Sequence, residues 1–116
     1  MNLSKRIDSF RYACKGLAEL FVSQANARIH LAAAVVVTVC GFRFHISKME
    51  WIAVVLCIAL VMSLEAINTA LEYLTDLVSP EYHPLAGKAK DVAAAAVLIA
   101  AAGAVVVGLI IFTPKF

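Results

Sequence analysis

The stretch Trp51–Asp76 decides the fold: WIAVVLCIALVMSL from Trp51 to Leu64, then EAINTALEYLTD from Glu65 to Asp76, with no turn residue between them. Read as one helix, Glu65, Asn68, Glu72 and Asp76 fall at i, i+3, i+7 and i+11, a single narrow stripe with Thr69 at its edge. Three carboxylates and an amide on one face of an apolar helix cost several kcal/mol if they find no partner. Solvation at a helix end emerging from a membrane accounts for Asp76 and for Glu72. It accounts poorly for Glu65 and Asn68, which follow the apolar run at once. The stripe is therefore the candidate site.

The rest of the chain has the composition that such a helix needs. It is 63% hydrophobic, with a mean hydropathy of +0.90. Its 116 residues make one domain, residues 1–116, too small to bury that much apolar surface in a core of its own. An all-α membrane protein is the expected class. A net charge of +2 and the lack of a basic stripe with interleaved aromatics give no case for nucleic acid. Cys14, Cys40 and Cys57 stand singly, without metal-binding spacing, and read as small hydrophobes. Residues 1–28 are charged throughout, so no cleavable signal peptide is expected.

Outward from the stripe, residues 4–22 form a basic amphipathic helix: Ile7, Phe10, Cys14, Leu17 and Phe21 recur at helical spacing among Lys5, Arg6, Arg11 and Lys15. It suits an anionic membrane surface and equally suits core packing. A first span is expected over about 27–45, flanked by Arg28 and Arg43, whose side chains can snorkel. Residues 41–50 read as a charged connection. The second span covers about 51–72, opening at Trp51, a residue favoured at the interface. Two prolines and Gly87 predict a loop over 77–89, and a third span follows over about 91–113, uncharged from Val92 to Thr113. Positive charge favours the N-terminus and the 77–91 loop, with Lys88 and Lys90, as the cytoplasmic side. The stripe then lies at the cytoplasmic face.

Carboxylates there suit Mg²⁺, which takes one or two of them plus phosphate oxygens, or general-base chemistry on a hydroxyl. Lys90 and Asp91, at the predicted start of the last helix, could meet phosphate by charge and by the helix terminus, although both are also common interface residues. No phosphate loop is present: Gly103 and Gly108 share Walker-type spacing, but Leu109 and Ile110 stand where Lys and Ser/Thr are required. No zinc spacing joins the three histidines. His30 reads as a packing or interfacial residue, His45 as a solvated loop residue and His83 as a loop residue near the site.

The motif E-x-x-N-T-A-x-E-x-x-x-D at 65–76, with SPEYH at 79–83, AKDxAAAAV at 89–97, KGL at 15–17 and NxRIH at 26–30, resembles the small bacterial integral-membrane diacylglycerol kinase family, its undecaprenol kinase branch above all. The likeness covers nearly the whole chain. It implies a homotrimer in the bacterial cytoplasmic membrane, each chain with a surface helix and three spans, and active sites built between protomers. It implies phosphorylation of a lipid hydroxyl by ATP with Mg²⁺, the lipid being undecaprenol or, alternatively, diacylglycerol. Position by position, Glu72 matches the catalytic base and a metal ligand, and Asn68 a site-orienting amide. Lys90 matches a phosphate contact, and Glu65, Asp76 and Asp91 match other residues of the nucleotide site. The family's second metal-binding glutamate is replaced here by Gln24, an oxygen ligand without charge. A small cation or proton transporter and a catalytically silent relative are the competing readings. ATP consumption that depends on added lipid alcohol separates both from a kinase.

Overall fold

The computed structural model describes residues 2–116. Four helices account for almost all of it: α1 Leu3–Ser23, α2 Ala25–Arg43, α3 Lys48–Val78 and α4 Pro84–Phe112, with a 3₁₀ turn at Thr113–Lys115. Helices α2, α3 and α4 are each long and apolar enough to cross a membrane. Large aliphatics stand exposed along all three, among them Val35, Val39, Leu56, Leu60, Leu98 and Ile110. That surface is what a multi-pass membrane protein offers to lipid.

Helices α3 and α4 make the most extensive contact, α2 packs on α3, and α1 touches α2 and α3 lightly. On α3 the buried positions are Val54, Val61, Glu65, Asn68 and Thr69. Val54, Val61, Glu65 and Asn68 are spaced by seven, four and three residues, one seam of a helix. The polar stripe is therefore the continuation of the packed seam. On α4, Ala93, Val97 and Ala100 are buried at the same kind of spacing. Small alanine side chains there allow close helix approach.

The ends of the helices are written locally. Helix α2 stops in a Schellman motif: Ile46 N–H donates to Gly41 C=O (3.2 Å) and His45 N–H to Phe42 C=O (3.4 Å). His45 takes the left-handed position, φ 51°, where glycine is usual. Ser47 then caps α3 in a full capping box with Glu50. Glu50 also accepts from Lys115 Nζ at 3.2 Å, which ties the start of α3 to the C-terminal turn. Ile46, Val54 and Ile111 form a small core at this end, with Phe44, Trp51 and Phe112 packed around it.

Two connections are shorter than the sequence reading expects. Residues 41–50 reduce to Phe44–Ser47, because the Schellman motif and the capping box turn the chain at once. The 77–89 loop reduces to Ser79–His83. Pro84 does not prolong this loop; it sits in the first turn of α4, where its missing N–H costs nothing, and His83 Nδ1 caps the helix by accepting from Leu85 N–H (3.1 Å). Lys90 and Asp91 consequently lie in the second turn of α4. Its first turn is residues 84–87, where Leu85 N–H is taken by His83 Nδ1 and Gly87 N–H by His83 C=O, so Lys90 offers charge alone, without the helix terminus.

The α1–α2 junction is a single extended residue, Gln24, at φ −113° and ψ 113°. Arg28 does not snorkel. Its Nη1 donates to the last carbonyls of α1, Phe21 O at 2.8 Å and Val22 O at 2.9 Å, a cation on the negative end of the helix.

Gly41 and His45 give opposite expectations. A Cβ at Gly41 would lie 2.6 Å from the Trp51 ring, which is itself packed at a tilt against Phe42, ring centroids 4.8 Å apart. Overpacking of about 1–3 kcal/mol outweighs the gain in helix propensity, so Gly41→Ala lowers the melting temperature of the purified protein. His45→Gly relieves the left-handed strain and raises it. Equal melting curves for both variants and the parent would refute this account of the turn.

Candidate functional site

With α2, α3 and α4 alternating in direction, the N-terminal ends of α2 and α4 and the C-terminal end of α3 meet at one end of the bundle. Helix α1 joins them there. All seven candidate site residues, Gln24, Glu65, Asn68, Glu72, Asp76, Lys90 and Asp91, lie on these segments.

Helix α3 is 31 residues long, about 46 Å at the usual rise, against a hydrocarbon core of about 30 Å. Measured from Trp51 at one interface, that thickness ends near residue 71. Burial within the protein falls along the stripe in the same direction. Glu65 is 1% exposed and Asn68 7%; Glu72 is half-buried, and the Asp76 side chain is 61% exposed. The stripe thus grades from dry to wet over three turns of one helix.

The dry end is under-satisfied. Glu65 Oε2 and Asn68 Oδ1 are buried without a hydrogen-bond partner among the described residues. His30 Nε2 of α2 stands 3.6 Å from Glu65 Oε2, close enough for charge and too far for a hydrogen bond. Asn68 Nδ2 points at Glu72 Oε1 across 3.4 Å, and Thr69 Oγ1 returns its proton to Glu65 C=O at 2.9 Å. Unpaired buried acceptors of this kind are costly and make these two oxygens the strongest candidates for a functional role.

The wet end is paired. Lys90 Nζ donates to Asp76 Oδ1 at 2.5 Å, joining α4 to α3 one turn beyond Glu72. The pair is largely exposed, and its value lies in placement more than in stability. It keeps an ammonium group on the turn of α3 that follows Glu72.

Gln24 and Asp91 are not drawn in. The Gln24 amide donates to Ser23 Oγ at 3.4 Å, and among the described residues no hydrogen bond or ion pair joins Gln24 or Asp91 to the stripe. No group of three or more His, Cys, Asp or Glu side chains is gathered as a metal cage among the described residues. Mg²⁺ does not need one. The oxygens present, the Glu72 carboxylate beside the orphaned Asn68 Oδ1, are hard donors of the kind that it takes with phosphate.

Two contacts lie beyond the sequence reading. One is His30 beside Glu65, for which a lone imidazole in an apolar run was the available signal. The other is Tyr73, next to Glu72 in the chain. Its hydroxyl donates to Glu19 Oε1 at 2.9 Å and lies 3.0 Å from Ser23 Oγ, fastening α1 to α3. No local pattern announces that pairing.

Residues 11–112 match the family model described as prokaryotic diacylglycerol kinase. An undecaprenol kinase of Bacillus subtilis (strain 168) is 42% identical over 113 residues, which cover 97% of this chain and 92% of that protein. A diacylglycerol kinase of Synechocystis is 45% identical over 107 residues, 91% of this chain and 61% of that longer protein. A diacylglycerol kinase of Escherichia coli (strain K12) is 32% identical over 105 residues, covering 90% and 86%.

Tyr73→Phe keeps the ring and removes the tether, worth about 0.5–1.5 kcal/mol as a hydrogen bond. Limited proteolysis at Arg11 and Lys15 should accelerate while α2–α4 keep their amide protection. Unchanged cleavage would show that the hydroxyl holds nothing in place.

Proposed function

This chain belongs to the prokaryotic diacylglycerol kinase family, and from that premise we propose that it transfers the γ-phosphoryl group of ATP to the hydroxyl of undecaprenol at the cytoplasmic face of the bacterial inner membrane. The observation that carries the reading is the position of Glu72. It stands at the boundary between a buried, under-satisfied polar pair and an exposed ion pair, the depth at which a lipid hydroxyl and a water-borne nucleotide meet.

Each residue has a task. Glu72 accepts the proton of the lipid hydroxyl as its oxygen bonds to the γ-phosphorus and the bond to the departing ADP breaks. Asn68, donating to Glu72, fixes the orientation of the carboxylate. Lys90, delivered by Asp76, neutralises phosphate charge. Glu65 and Asp91 complete the nucleotide side of the site. Mg²⁺ arriving with ATP would be held by the Glu72 carboxylate and the neighbouring Asn68 Oδ1, with Gln24 as the further oxygen to test, and would supply charge neutralisation on the phosphates. Positioning and electrostatics carry most of the catalysis in such transfers.

A homotrimer with sites shared between protomers agrees with the orphaned oxygens of Glu65 and Asn68, which have no hydrogen-bond partner among the described residues. The basic face of α1 and the lysines near the start of α4 support the cytoplasmic placement. The likeness to an undecaprenol kinase over nearly the whole chain favours the prenol; the diacylglycerol kinases among the relatives keep diacylglycerol as the second substrate to assay.

In lipid nanodiscs with ATP and Mg²⁺, added undecaprenol should support phosphoryl transfer better than diacylglycerol, and Glu72→Gln should reduce it by about 10²-fold or more. Turnover by Glu72→Gln at near the parent rate would remove Glu72 as the base. Gln24→Glu adds a charged oxygen and should lower the Mg²⁺ concentration for half-maximal turnover. An unchanged midpoint would place residue 24 outside the metal shell.

A further inference from the structure

Helix α2 reaches the polar stripe through one side chain. Its Arg28 is spent on the carbonyls of α1, and its Thr38 on Ala34 C=O within the helix. His30 faces α3, with Nε2 3.6 Å from Glu65 Oε2. Among the described residues no other ion pair and no hydrogen bond joins α2 to α3. No step of the phosphoryl transfer uses this imidazole.

Neither group has an alternative partner. The Glu65 side chain is 1% exposed, and Oε2 is sealed without a hydrogen bond. The imidazole makes no hydrogen bond among the described residues. It also lines an apolar cavity with Ala33, Ala34, Val37 and Val61, whose side chains accept no proton. With water excluded, a carboxylate gains more from an N–H donor than it would at the surface. The gap is roughly 0.4 Å beyond the upper end of N–H···O bonds. Contacts of this kind are often long in an empty site and tighten when the ligand arrives.

We propose that His30 is a positioning residue of the site: its Nε2–H closes on Glu65 Oε2 when nucleotide binds, which holds the buried carboxylate in one orientation and sets α2 against the stripe. The proposal rests on the lipid-kinase reading and deepens it by giving the dry end of the stripe a second helix. Glu65 lies seven residues before Glu72, about 10 Å along α3, so His30 acts through Glu65 and not on the reacting atoms. An imidazole carries Nε2–H when protonated and in one of its neutral tautomers, so the contact needs a donor and not a charge.

The contact can be read without turnover. The full chain, labelled with ¹⁵N-histidine and placed in nanodiscs, holds three histidines. His83, whose Nδ1 accepts from Leu85 N–H, is the internal reference. The His30 Nε2–H signal should resist exchange with water and move downfield when a non-hydrolysable ATP analogue is added with Mg²⁺. It should be lost in Glu65→Leu, which has no acceptor. In turnover, His30→Leu should raise KM for ATP about tenfold, with a smaller change in kcat. His30→Gln keeps a side-chain N–H and should recover most of that loss. In a Glu65→Leu background, His30→Leu should weaken a fluorescent ATP analogue no further. If His30→Leu does not give a parental melting curve, His30→Phe keeps a ring without a donor and takes its place.

A His30 signal indifferent to the nucleotide or to Glu65→Leu overturns the proposal. Equal losses in His30→Leu and His30→Gln also overturn it, because they would make the imidazole a packing group. Additive losses in the double variant do the same. A signal that responds to the nucleotide in a protein that phosphorylates neither lipid would refute the lipid-kinase reading and leave His30 as a positioning residue of a nucleotide site.

Discussion

The carboxylate of Glu65 is the constraint on which the other parts depend. It is the most deeply buried large side chain among the described residues, it sits on the packed seam of a membrane-length helix, and one of its oxygens has no hydrogen-bond partner. Placing such a group in hydrocarbon costs several kcal/mol. Replacing it by leucine would pack as well and stabilise the bundle. Its presence, with Asn68 one turn on, gives up stability locally. The remainder of the bundle compensates in ordinary ways: alanines that let α4 approach, a capping box and Schellman motif that close one end, and aromatic packing around Ile46, Val54 and Ile111.

The second determinant is length. A helix of about 46 Å set against about 30 Å of hydrocarbon leaves one end projecting. Because the stripe straddles the point of emergence, residues of similar chemistry acquire different surroundings. Glu65 is sealed, Glu72 is half-sealed, and Asp76 is free to hold a lysine in water. One helix thereby offers a graded series of carboxylates without a loop, a cofactor clamp or a second domain.

Much of this is legible in the sequence because it is local. Spacing within α3 put the four polar residues on one face, hydropathy marked the three long helices, and Trp51 marked an interface. Turn chemistry was read less well. Prolines and Gly87 suggested a long loop, whereas Pro84 opens α4 and Gly87 lies inside it. The difference is positional: proline breaks a helix interior but suits its first turn. Contacts between distant segments were not legible. Arg28 on the carbonyls of α1, His30 beside Glu65 and Tyr73 on Glu19 each depend on helix packing, which no periodicity encodes.

The elbow at Gln24 has a mechanical consequence. One extended residue joins α1 to α2, and Arg28 clamps the join by gripping the end of α1. A link that short has no slack. The single-residue link and Arg28 couple the direction of α1 to that of α2, and the Tyr73 hydroxyl ties α1 to the turn of α3 that bears Glu72. Three helix ends are thereby held as one piece at the end of the bundle where the polar residues gather.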